Sequence, residues 1–153
     1  MSNFKLYDGL QNVQGNATSG PIVLVYLAEP YTANWIGPIE FLIDTGASET
    51  SIPKDLIVKL GFNNLPELDS QEHELADGSV VELKKTMLDL AVGEIRERNS
   101  TGFLEVPVSV TPPNSQPLLG MDLLSYFDFS MFGGEKPTLI RNQKVLGKLR
   151  SLA

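Results

Sequence analysis

The stretch "EFLIDTGASET", running from Glu40 to Thr50, decides the fold. Its first half is an apolar, strand-forming run; Asp44 closes that run, and Thr45, Gly46, Ala47 and Ser48 follow. A carboxylate at the inner end of a core strand is costly to ionise, because burial favours the neutral acid. The small residues after it leave room for something to come close: Gly46 lets backbone approach and Ala47 adds little bulk. A polar group so placed calls for a partner that shares its charge.

Composition narrows the possible partners. The 153 residues are expected to form one domain, 1–153, able to bury roughly two thirds of the unfolded surface. With 12 Lys+Arg against 19 Asp+Glu the net charge is −7, and basic residues do not cluster, so nucleic acid and anionic membranes would be repelled. The N-terminal stretch has no basic-then-apolar signal pattern, and the longest apolar run, Ile22 to Ala28, is too short to span a bilayer. There is no cysteine, which removes disulfides and thiolate chemistry and fits a reducing compartment. We therefore expect a soluble, cytoplasmic protein with neither nucleic-acid nor membrane partners.

Outward from Asp44, strand patterns dominate. "IVLVYL" (Ile22 to Leu27) and "PIEFLID" (Pro38 to Asp44) read as neighbouring strands. Leu88, Leu90 and Val92 alternate with Asp89 and Ala91, and Leu104, Val106, Val108 and Val110 alternate with Glu105, Pro107 and Ser109; each series predicts one buried face. Pro107 has no N–H and predicts an edge or a bulge. Helix signals are confined to "PKDLIVKLG", with Pro53 in the first turn and Gly61 as the stop, and to "MDLLSYF" after Gly120. "TPPNSQP", Thr111 to Pro117, reads as a loop. The expected class is all-β with one or two short helices, without internal repeats.

Local partners for Asp44 are few. His73 is the single histidine and has no H-E-x-x-H spacing, which argues against zinc; in "SQEHEL" it reads as a solvated surface residue. "GASET" lacks the second glycine of a nucleophile elbow, which argues against a serine hydrolase. A phosphate-handling enzyme is disfavoured, since no Gly-rich phosphate loop and no nearby Lys or Arg accompany Asp44. A second carboxylate remains. Two carboxyls about 3 Å apart repel by roughly 5 kcal/mol at an effective dielectric of about 20, so the pair retains one proton over a wide pH range. One member then acts as base toward water while the other donates a proton.

"FLIDTGAS" resembles the catalytic loop of retropepsin-like aspartic proteases, the family of the retroviral proteases and their single-domain cellular relatives. Two further segments share the resemblance. In "PLLGMDLLSYFDF", Leu118, Leu119 and Gly120 are similar to the family's second signature, and in "ELADGSVVEL" Asp77-Gly78 is a two-residue hairpin signal at the position of the flap. Alone, Asp77-Gly78 fits a surface turn, and Leu118 to Gly120 fits a core strand before a helix in which Asp122 suits the first turn. Their joint order carries the match, which runs from about Ile22 to Phe132.

The resemblance implies a closed or partly closed β-barrel with Asp44 catalytic, Thr45 bracing the paired loops across a dyad, and Gly46 supporting the site. It implies substrate contacts from Ala47, Ser48, Ala76, Asp77, Gly78 and Ser79. Ser48 stands where viral members often carry an acid, as cellular members often do, and Gly78 is the flap's one glycine. The chain has one D-T-G and no D-S-G, half of what a two-lobed pepsin-like chain carries, which implies a homodimer with one Asp44 from each copy. An extended peptide would lie between floor and flaps and be hydrolysed by water, without metal or organic cofactor. The alternative is a dimerisation or peptide-binding module of the same fold without turnover.

Overall fold

A computed structural model describes residues 5–6, 12–14, 21–74, 77–94, 99–130 and 138–141. Its strands are β1 (Lys5–Leu6), β2 (Asn12–Gln14), β3 (Ile22–Ala28), β4 (Ile36–Ile43), β5 (Ser51–Pro53), β6 (Leu68–Glu74), β7 (Val80–Glu94), β8 (Asn99–Thr111), β9 (Leu118–Leu119), β10 (Phe127–Ser130) and β11 (Thr138–Arg141). Two short helices interrupt them, α1 (Lys54–Lys59) and α2 (Met121–Leu124). The main sheet runs β1-β8-β5-β9-β4-β3-β7-β6, and a further pairing of β8 with β7 closes it partly into a barrel. A second sheet joins β10, β11 and β2.

The β-branched and aromatic run of β3 pairs antiparallel with β4, Ile22 opposite Leu42 and Val25 opposite Ile39. Val23, Val25, Leu27, Phe41 and Ile43 point into one core with Leu88, Leu90, Phe103, Val106, Leu119 and Leu123. Phe103 packs edge-on to Phe127, with ring centroids 5.9 Å apart, and so seats the end of α2's segment on the barrel. Short β9 slots between β4 and β5, parallel to the first at Leu42–Leu118 and Ile43–Leu119, antiparallel to the second at Ser51–Leu118. The loop from Asp44 to Thr50 therefore crosses the end of β9.

Several sequence expectations change in detail. Asp89 and Ala91 are as buried as their neighbours, so β7 is covered on both faces from Leu88 to Gly93. β7 is flanked by β3, β6 and β8 and approached by β2, and the Asp89 carboxylate is turned inward to accept Tyr31 N–H and Glu105 N–H. The bulge expected near Pro107 lies just before it: the β7–β8 register shifts between Leu88 and Leu90, and Glu105 takes φ +57°. Pro53 ends β5 in extended geometry as the cap before α1, not within its first turn, while Gly61 supplies the left-handed φ of +73° that stops the chain. Among the described residues no helix is long and apolar enough to cross a membrane.

Candidate active site

Parallel pairing brings the ends of β4 and β9 side by side, which sets the Asp44 loop against the Leu118-Leu119-Gly120 segment. Asp44 N–H donates to Leu119 O at 3.0 Å, and Leu42 N–H to Pro117 O at 2.9 Å. The loop then folds on itself: Ala47 N–H reaches Asp44 O, and Gly46 N–H donates to Asp44 Oδ1 at 2.9 Å. A Cβ at Gly46 would stand 3.3 Å from that same oxygen, tighter than ordinary contact. From the other side, Met121 N–H donates to Ala47 O at 2.8 Å and Asp122 N–H to Ser48 O at 3.1 Å.

Gly120 makes this crossing possible. A Cβ there would meet the backbone carbon of Glu49 at 2.4 Å, so only glycine lets the two segments touch. Its N–H donates to Thr50 Oγ1 at 3.1 Å, and that hydroxyl donates to Asp122 Oδ1 at 2.7 Å. Thr50 N–H also binds the Asp122 carboxylate at 3.0 Å. Burial pushes the Asp122 carboxyl up from its ordinary range, and its bonds from Thr50 and Leu123 N–H only partly offset this. Sequence reading assigned Asp122 to the first turn of α2 and missed Thr50, whose burial and bond to a residue 72 positions away leave no local signal in the sequence.

Asp44 is half-buried, Thr45, Gly46 and Ser48 are exposed, and Ala47 is half-buried. The burial expected of the aspartate is thus incomplete in one chain. In the segment expected to be the flap, β6 and β7 pair as an antiparallel hairpin, but Glu74 pairs with Val80, so five residues connect the strands and not two. The reason is local: Asp77 Oδ1 accepts Ser79 N–H at 2.9 Å, shaping its own turn, with Gly78 at φ +85°. The Ser79 hydroxyl and N–H hold the Asp77 carboxyl below its usual range. Ala76 lies outside the described residues.

His73 is not a solvated surface residue. It is half-buried, 3.5 Å from the Glu49 carboxylate, which also accepts Lys85 Nζ at 2.9 Å and Ser109 Oγ at 2.9 Å. Burial works to raise the Glu49 carboxyl, but the Lys85 and Ser109 hydrogen bonds and the Lys85 charge, with His73 alongside, outweigh it and hold it low.

Comparison with known proteins agrees with this architecture. Residues 34–126 match the family model described as "gag-polyprotein putative aspartyl protease", a span that includes the Asp44 loop, the hairpin and the Leu118-Leu119-Gly120 segment. The fold is similar to the crystal structure of a retropepsin-like aspartic protease from Rickettsia conorii, with a TM-score of 0.55 and 21% identity over 91% of this chain and 96% of that one. No curated protein matches. The chain belongs to the gag-type, retropepsin-like aspartyl protease family.

Proposed function

We propose that the protein is a cytoplasmic, homodimeric aspartic endopeptidase in which the Asp44 carboxyls of two copies share one proton and activate a water. The observation that carries this reading is the half-open site: one D-T-G loop, locked from behind by β9 and α2, with Thr45 and Gly46 uncovered. A second copy related by a two-fold axis would cover that face and bring a like loop opposite. Family membership and fold support the protease class.

In the reaction, the ionised Asp44 takes a proton from water as its oxygen attacks the peptide carbonyl carbon. The protonated Asp44 donates to the carbonyl oxygen. The first Asp44, now protonated, then gives that proton to the amide nitrogen while the second, now ionised, takes a proton from a hydroxyl of the tetrahedral carbon, and the C–N bond breaks to leave an amine and a carboxylic acid. Thr45 braces the paired loops, Gly46 and Ser48 offer polar groups to the substrate main chain, and Ala47 with the flap residues Ala76, Asp77, Gly78 and Ser79 lines the peptide.

Digestion of an unfolded protein or peptide library across pH, read by mass spectrometry, tests the proposal. Asp44→Asn is expected to lower cleavage by roughly 10³-fold or more in a protein that still folds. Equal cleavage by the variant would refute the dyad. No cleavage by either, with equal peptide affinity, would establish a peptide-binding module instead.

A further inference from the structure

Glu49 stands five residues beyond Asp44, and its side chain lies in a polar cluster. Its carboxylate accepts Lys85 Nζ on β7 and Ser109 Oγ on β8, both at 2.9 Å, and lies 3.5 Å from His73 Nε2 on β6. The side chains are largely shielded: Lys85 is 12% exposed, Glu49 and His73 24% each. Two of the three partners belong to the β6–β7 hairpin, in which the charged residues nearest them in sequence, Glu72, Glu74, Glu82 and Lys84, are exposed. Asp122, behind the loop, repels Glu49.

The backbone of Glu49 has little freedom. Gly120 presses on it, and the next residue is tied to β8, where Ser109 N–H donates to Thr50 O at 3.1 Å. A fixed backbone on the catalytic loop thus grips the hairpin through one carboxylate. An exposed ion pair would contribute little, but a shielded one with added hydrogen bonds leaves an unpaired charge when either partner is removed.

We propose that Glu49 is a positioning residue that seats the flap hairpin on the catalytic loop through Lys85 and His73, and so sets how firmly the hairpin covers an extended peptide. This rests on the protease reading. Glu49 acts through the hairpin and does not touch the reacting atoms.

Hydrogen exchange in an Asp44→Asn background tests the seat without activity. Glu49→Ala and Lys85→Met are expected to speed exchange of amides in residues 68–74 and 80–85 by about tenfold or more, with Lys85→Arg restoring protection and Asp44 N–H unchanged. With Asp44 intact, both variants are expected to raise KM for a peptide about tenfold and leave kcat within about twofold. Unchanged hairpin exchange in both variants, or a kcat that falls as steeply as kcat/KM, overturns the proposal. If the unmutated protein cleaves nothing, the protease reading fails, and the exchange data still decide whether Glu49 seats the hairpin.

Discussion

Thr50 and Asp122 show how one buried acid can hold two loops. Thr50 is fully buried, and its N–H and hydroxyl both end on Asp122. Asp122→Ala strands those two donors and is expected to cost about 2–4 kcal/mol in denaturant unfolding. Asp122→Asn keeps an acceptor and should behave differently with pH. Because burial raises the folded-state pKa of Asp122, the unfolded chain ionises first, and this group's contribution to stability falls as pH rises from the ordinary carboxyl range through the raised value. Relative to wild type, the Asn variant is therefore expected to gain melting temperature as pH rises above the ordinary carboxyl range. Glu49, held low, has the opposite sign: its contribution is present above the ordinary range and is lost as pH falls through the depressed value. At Gly120 the outcome is steric, and Gly120→Ala is expected to cost about 3 kcal/mol or prevent folding, measured by the same unfolding curves.

At the scale of elements, Asp89 joins β7 to a turn at Tyr31 and to the bulge of β8 at Glu105, both with left-handed backbone. Tyr31 and Glu105 hold φ of +67° and +57°, and the N–H of each donates to the Asp89 carboxylate at 3.1 and 2.8 Å. Asp89→Ala should release both and cost about 2–4 kcal/mol by chemical denaturation. Much of this architecture was legible from the chain. The runs at Ile22 and Pro38, the alternation at Leu88 and Leu104, and the two helix signals marked the elements, although Asp89, Ala91 and Ser109, which alternate with the apolar series, are buried as well. The Asp44 loop and the Leu118-Leu119-Gly120 segment were legible as signatures, and the structure brings them together. What stayed hidden depends on partners far along the chain. Asp89 looks like the polar side of a strand until Tyr31 and Glu105 arrive, and His73 looks solvated until Glu49 and Ser109 surround it. The strands β1, β2 and β11 lie where the pattern was least readable, and they are short segments completed by pairing.

For the whole molecule, the homodimer reading makes activity depend on concentration. Specific activity is expected to fall on dilution as half-sites separate, and sedimentation should show active samples to be dimeric. Because a shared proton must be kept, the rate should trace a bell against pH, declining in base as both Asp44 carboxyls ionise and in acid as both protonate. A rate rising steadily into alkali would point to another nucleophile. The insertion of β9 between β4 and β5 also bears on how the protein comes into being. Thr50 and Asp122 are 72 positions apart, and Asp44 N–H waits on Leu119 O. During synthesis the D-T-G loop leaves the ribosome long before the strand that braces it, and the enclosing contacts are non-local, of the kind that form slowly. Nascent chains that end before Leu118 would thus carry the D-T-G sequence without the contacts that shape it, and on the proposed reading the loop could cleave nothing until Leu119 O and Asp122 have been made.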